Sequence, residues 1–464
     1  MSKTPRRKPP KLFVRRGKRI RPRNVNLLLR FALMTLVPLF LLVVAVFHIR
    51  ILLTQDWQSI TVPYALVSVG VAVVVCAVAA FLYRHYRYDS IKKRSHRQIL
   101  ARMIRDNGWC EKKTVEGREK IRRFAPMWYK KDDFIVTVTV TRDGGKHYEQ
   151  MQTLAPRLET ALFSELIASP ASEGYLEYKL LYDSINGRIT IDKVTVTDGR
   201  MKLMETCYWD IDGQPHMLVA GGTGGGKTFF LLSVIYALLS QTNARLTICD
   251  VKYSALIDLG EFMPHVYSDA YDILDALIRF KDDMQERYIK MRERPGYDSK
   301  QNYAYMGLEP HFFVFDEYVA TYGRLDSKAQ GVLVTALRDV VLAGRQCGYF
   351  MILATQRPDA KFLETDVRDN FNFRVTLGSM TAQGYAMMFG ETKKMFMQKD
   401  IKGRGYHSGG DEIIPELFAP YVPDDFKFQA KVQEALLARG DKLVPATKKK
   451  VDAVVEIGDE DGWN

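Results

Sequence analysis

The stretch VAGGTGGGKTFFLLSV, Val219 to Val234, decides how this chain is read. Five glycines between Gly221 and Gly226 precede a lysine, a threonine and an apolar run. With PHML before it, the order is strand, glycine loop, helix. The pattern G-x-x-x-x-G-K-[ST] falls on Gly221, Gly226, Lys227 and Thr228. Each part has a chemical reason. Glycine lets backbone N–H groups turn inward around phosphate, where side chains would block the approach. Gly221, Gly222, Thr223, Gly224, Gly225 and Gly226 are therefore expected to cradle a triphosphate, and the helix that follows adds its positive end. Lys227 is expected to reach the β- and γ-phosphates of ATP, and the Thr228 hydroxyl to ligate Mg²⁺. The bland alternative is a flexible glycine turn, which the flanking strand and helix disfavour.

Working outward, HFFVFDEYVA (His311 to Ala320) supplies a second half. Phe312 to Phe315 form a buried strand that delivers Asp316 and Glu317 at its C-terminal end, where ligands sit in open α/β sheets. Asp316 is expected to join the Mg²⁺ shell, and Glu317 to orient and polarise the attacking water. GYFMILATQRPDA (Gly348 to Ala360) is another buried strand, and Gln356 at its end is placed to sense the γ-phosphate. RLTICDVK (Arg245 to Lys252) and FRVTLGS (Phe373 to Ser379) add two more apolar strands. The fold expected is α/β: a parallel sheet with helices on both faces.

Before this body the sequence changes character. The whole chain of 464 residues has a formal net charge of +13, but residues 1–100 carry +17 and the remainder −4. Basic character is thus N-terminal, and bulk charge does not mark the body as a nucleic-acid binder. Two apolar runs, Leu27–Phe47 and Val62–Leu82, are each long enough to cross a bilayer as a helix. KTPRRKPPKLFVRRGKRIRPR lies before them and RHYRYDSIKKRSHR after, while the loop between has one Arg and one Asp. The positive-inside rule then predicts a multi-pass protein of a cell membrane, with both termini and the body on the cytosolic side. The basic arms are expected to meet anionic lipid headgroups.

The reading divides the chain into a basic arm (1–26), two spans (27–83), a β-rich adaptor (84–200), a motor (201–430) and a tail (431–464). In the adaptor, DFIVTVTVT (Asp133 to Thr141) alternates with period two, and YLEYKLLY and RITIDKVTV read as further strands. LAPRLETALFSELIAS (Leu154 to Ser169) reads as an amphipathic helix. Five cysteines without a C-x-x-C pair suggest neither a disulfide framework nor a zinc site.

PHMLVAGGTGGGKT, ICDVK, VFDEY and LATQRPDA, in that order and spacing, resemble the FtsK/SpoIIIE-type DNA translocases over about residues 200–430. MQERYIKMRERPGYDSKQNY and GRGYHSGGDEIIPELFAPYVPDDF extend the likeness. The resemblance implies a RecA-like P-loop NTPase of the additional-strand type, working as a homo-hexamer that hydrolyses ATP with Mg²⁺ to move DNA. It assigns phosphate binding to Gly221–Gly226 and Lys227, metal ligation to Thr228 and Asp316, the catalytic carboxylate to Glu317 and the sensor to Gln356. A ring motor also needs an arginine that reaches the neighbour's γ-phosphate. Arg374 matches that position, with Arg345 as the runner-up. Asp250-Val251-Lys252 stands where the family has D-P-K.

Two spans, no long linker and a short tail look most like the TcpA-like coupling ATPases of Gram-positive conjugative elements. That likeness implies partners in a relaxosome and a type IV secretion channel. Arg292 to Tyr305 mixes basic and aromatic residues, as a DNA-contacting pore loop would, and as a plain surface loop also can. Single- and double-stranded DNA stay open. So do a type VII-like protein-secretion motor, a chromosome-segregation-like pump and a membrane-tethered scaffold that does not turn over.

Overall fold

The computed structural model describes residues 16–47, 70–78, 80–81 and 88–446, apart from 116–117, 133, 143, 183, 358–362, 393, 395, 398–400 and 411–412. The chain divides into two compact units, Met1–Asp183 and Ser184–Asn464.

In the first unit, helix α1 (Leu27–Phe47) is apolar apart from Arg30 in its first turn and Thr35, and Leu29, Leu33, Met34, Leu41 and Leu42 are exposed. Within Pro22–Val44 an 18-residue window has a mean hydropathy of 2.5 and no buried residue, and the helix is long and apolar enough to cross a membrane. A helix this apolar and this exposed among the described residues is compatible with lipid. Of the second expected span, only residues 70–78 and 80–81 are described, and they are helical; the rest lies outside the described residues. Helix α2 (Tyr88–Asp106) braces the base of α1: the Leu28 N–H donates to Gln98 Oε1 at 2.8 Å.

The basic arm does not stay apart. Strand β1 (Lys18–Arg19) pairs antiparallel with β4 (Met127–Asp132). After the hairpin of β2 (Cys110–Val115) and β3 (Arg118–Phe124), the sheet runs β1-β4-β5-β8-β6, with β5 at Ile135–Thr141, β6 at Glu165–Ala168 and β8 at Tyr175–Leu181; β7 (Ala171–Ser172) also pairs with β8. The alternation in β5 works as expected, for Val136, Val138 and Val140 are wholly buried. They share a core with Leu100 and Ile104 of α2 and with Leu158 and Leu162 of α3 (Ala155–Leu162).

Two expectations for this region are corrected. The helix read over Leu154–Ser169 ends at Leu162. Phe163 turns left-handed (φ 50°), and the Glu159 carboxylate takes the Leu166 N–H at 2.8 Å, which starts β6. RITIDKVTV is strand only at β9 (Thr195–Thr197), because Ile191–Lys193 form a 3₁₀ turn.

The second unit opens with a small sheet of β9, β10 (Arg200–Met204) and β11 (Cys207–Asp210). Its main sheet has eight strands in the order β14-β13-β15-β16-β12-β17-β18-β19. These are β12 (Met217–Gly221), β13 (Arg245–Asp250), β14 (Val266–Tyr267), β15 (His311–Asp316), β16 (Tyr349–Thr355), β17 (Phe373–Leu377), β18 (Arg404–Ser408) and β19 (Glu416–Phe418). The first six are parallel, while β18 and β19 run antiparallel at the edge. Strand β16 lies between the glycine-loop strand β12 and the carboxylate strand β15, which is the additional-strand arrangement. The near-continuous apolar runs of β12, β15 and β16 follow from burial on both faces.

One side chain staples the central strands where they begin. His216 has φ 62° and is fully buried; its Nδ1 accepts the Met351 N–H at 2.9 Å, and its carbonyl accepts the Phe373 N–H at 3.3 Å. Burial holds its imidazole pKa down at about 4. An unfolded histidine titrates near 6.5, so the unfolded chain binds this proton first. Stability from this residue is full above about pH 6.5 and is lost toward pH 4, at about 1.4 kcal/mol per pH unit. His216→Asn keeps an acceptor for Met351 and tolerates the left-handed backbone. Thermal melts between pH 7.5 and 5 are expected to show a steep acid loss for the wild type and a slope about one proton shallower for the variant.

Candidate nucleotide site

Strands β12, β15 and β16 end side by side, and their loops open on one cavity of about 610 Å³. That is ample for a nucleotide. Gly221, Gly222, Thr223, Gly224, Gly226, Lys227, Thr228, Asp316, Glu317 and Gln356 all line it. Gly225 shapes it from behind, donating no side chain where its carbonyl receives the Gly403 N–H at 3.1 Å. Gly226 is obligatory: its φ is 98°, and a Cβ there would lie 2.9 Å from the Gly403 Cα. Helix α4 (Lys227–Gln241) begins directly after it, so its free N–H groups face the loop.

The charged centre is compact. Lys227 Nζ lies 3.1 Å from Asp316 Oδ1 and also donates to Glu317 Oε1. Lys252 Nζ lies 3.1 Å from Glu317 Oε2. Asp316 is 3% exposed and Glu317 6%, so these carboxylates depend on the lysines for compensation. Burial pushes the Asp316 pKa up; the Lys227 ammonium pulls it back, and Asp250 and Glu317 push it up again. The Glu317 backbone is left-handed (φ 56°, ψ 51°), and its N–H donates to Asp316 Oδ1 at 3.0 Å. That conformation is strained for a glutamate, and it aims the side chain into the cavity instead of along the strand.

Lys252 was missed as a site residue, although the D-V-K spacing carried the signal. The fully buried Asp250 carboxylate accepts the Lys252 N–H at 2.8 Å and the Ser254 N–H at 2.6 Å. That carboxylate makes the turn, so valine in place of proline does not prevent it. Also missed were Arg188 and the run Ala419–Val422, which line the same cavity from distant parts of the sequence.

Neither candidate arginine lines the cavity of its own chain. The Arg374 guanidinium donates to the carbonyls of Phe371 (2.9 Å), Met388 (2.8 Å) and Arg368 (3.0 Å), and to Asp369 Oδ1 (3.1 Å). Arg345 is exposed on the last turn of α7, as the helix Ser327–Cys347 is labelled after α5 (Ala270–Arg292) and α6 (Tyr318–Arg324). The segment Arg292–Tyr305 is partly tied down. Tyr303 is buried, and Gln346 donates to the carbonyls of Ser299 and Gln301, while Tyr305 remains 73% exposed.

Residues 192–323 match the FtsK/SpoIIIE family. The chain is 37% identical over 439 residues to the Ftsk domain-containing protein YdcQ of Bacillus subtilis (strain 168), covering 91% of both chains. It is 25% identical over 261 residues to the DNA translocase FtsK of Borreliella burgdorferi, covering 53% of this chain and 31% of that one. Among solved structures, the pCW3 conjugation coupling protein TcpA, in a monomer form with ATPγS, aligns with a TM-score of 0.47 and 20% identity, over 74% of this chain and 99% of that one.

Proposed function

The chain belongs to the FtsK/SpoIIIE family and is a P-loop ATPase, and from that premise we propose that it is a membrane-anchored ring motor that drives DNA toward a conjugative secretion channel. The observation that carries the ATPase chemistry is the gathering of Lys227, Asp316 and Glu317 at one cavity beneath the glycine loop. DNA as the cargo follows the family, and the conjugative role follows the TcpA-like features of the sequence.

In this reading the loop amides and Lys227 hold the β- and γ-phosphates. Thr228 and Asp316 offer hard oxygen donors that suit Mg²⁺, which would offset phosphate charge; such an ion takes few protein ligands and fills its shell with phosphate and water. Among the described residues no larger cluster of metal-binding side chains competes for it. Glu317 accepts a proton from the attacking water, and Gln356 reports the γ-phosphate to the rest of the domain. Six copies would form the ring, with Arg374 serving the neighbouring subunit after exchanging its bond to Asp369. Arg345, which is exposed, is the rival. On its composition the apolar run Val62–Leu82 would serve as a second span, with the motor on the cytoplasmic side.

The test is ATP hydrolysis by the full-length protein in lipid nanodiscs, with no DNA, single-stranded DNA and duplex DNA. Stimulation of about fivefold or more by one DNA form is expected, and the preferred form identifies the cargo. Equal rates in all three, from particles verified as rings, would move the assignment to protein export, the work suggested by the likeness to the ESX secretion system protein YukB of Bacillus subtilis (26% identical over 238 residues, 45% of this chain and 15% of that one).

A further inference from the structure

The cavity has a second end. Away from the carboxylates, it is walled by Arg188, Ala419, Pro420, Tyr421 and Val422. Tyr421 lines the cavity while 46% exposed. The Arg188 guanidinium lies over this ring, 5.5 Å from its centroid, and its Nε donates to the Ala419 carbonyl at 2.7 Å. One flat face is thus backed by a cation that is itself held in place.

The wall is fixed relative to the phosphate loop. The Gly403 N–H donates to the Gly225 carbonyl at 3.1 Å, and the Ala419 N–H donates to the Gly403 carbonyl at 2.6 Å. The Tyr421 N–H donates to the Ile189 carbonyl at 2.8 Å, and the Tyr421 carbonyl accepts the Ile191 N–H at 2.9 Å. Backbone hydrogen bonds thus tie the phosphate loop to Ala419, two residues before the ring, and tie Tyr421 itself to Ile189 and Ile191. Two binding features joined in this way suit one ligand that has phosphates at one end and a flat apolar group at the other.

We infer that Tyr421, braced by Arg188, is the platform on which the base of a bound nucleoside triphosphate stacks. The inference rests on the nucleotide-site reading above and adds a consequence to it. Stacking reads the face of a base, and only hydrogen bonds read its edge. Here the N–H and carbonyl of both Ala419 and Tyr421 are already engaged, and Pro420 has no N–H to offer. A wall that offers the base edge no free N–H from Ala419 to Tyr421 discriminates weakly. The wall should therefore accept adenine and guanine nearly alike.

Calorimetric titration of the full chain in detergent, with Mg-ATP, Mg-GTP and Mg-tripolyphosphate, tests this. For the wild type, ATP and GTP are expected to bind within about fivefold of each other, and both more tightly than tripolyphosphate. Tyr421→Ala is expected to weaken ATP and GTP about tenfold and to leave tripolyphosphate unchanged; Tyr421→Phe keeps the ring and should restore both nucleotides. Equal losses for nucleotides and tripolyphosphate would mean that Tyr421 only supports the loop, and would overturn the platform. So would unchanged ATP binding in Tyr421→Ala. An ATP preference over GTP above about fiftyfold would overturn the face-only recognition. If the wild type bound neither tripolyphosphate nor ATP, the nucleotide-site reading itself would fall, and the platform with it.

Discussion

Lys227→Ala is expected to lower ATP hydrolysis by about 10²–10³-fold or more, because it removes the one mobile cation that meets both the transferred phosphate and the carboxylate pair. The same substitution should also cost stability. It leaves Asp316 and Glu317, both nearly buried, with Lys252 beside Glu317 as their remaining cation among the described residues. Breaking a buried pair typically costs about 3 kcal/mol or more. Part of that is recoverable by a proton. With Lys227 gone, the Asp316 pKa, already raised by burial, rises further. The folded state then gains a proton that the unfolded state lacks, so the penalty is full at neutral pH and shrinks as pH falls through the raised value toward the ordinary carboxylate range. Thermal melts of wild type and variant without added nucleotide, at pH 7.5 and pH 5, should show the gap between them narrowing on acidification. A gap that widened would mean that Lys227 does not compensate these carboxylates.

Glu317→Gln separates chemistry from binding. The amide is isosteric, can still accept from Lys227, and sits as well as glutamate in the left-handed backbone at this position. It cannot take a proton from water. The turnover number is expected to fall by about 10²–10³-fold, as for loss of a general base. Nucleotide affinity should hold or improve, since one negative charge facing the γ-phosphate is gone. Retention of ATP through gel filtration, beside a collapsed rate, is the expected signature. A loss of affinity equal to the loss of rate would make Glu317 a structural partner of Lys227 and Lys252, and the catalytic carboxylate would have to be sought elsewhere.

How much of this was legible beforehand depends on how local each signal is. The glycine loop, Lys227 and Thr228 are contiguous, and the roles proposed for them follow from what phosphate demands of a backbone. Asp316 and Glu317 needed only an apolar strand to carry them to its end. The length and apolar character of α1, enough to cross a membrane, are legible from composition alone. Where two local tendencies competed, the reading slipped. Leu154–Ser169 has the periodicity of a helix, but the Glu159 side chain captures a backbone amide beyond Leu162 and hands the rest to a sheet edge.

Sequence alone thus carried the local signals of this protein: a glycine loop of the phosphate-binding pattern, a carboxylate pair, a family and a membrane-compatible helix. Only the tertiary structure decided which strand separates the two halves of the site, since parallel strands joined by long crossovers can be ordered in several ways and packing selects one. It also brought Lys252 against Glu317, and Arg188 and Tyr421 to the far end of the cavity. Arg188 and Tyr421 are more than 200 residues apart, and no period or motif links them. What joins them is hydrogen bonding to backbone carbonyls, Tyr421 N–H to Ile189 and Arg188 Nε to Ala419.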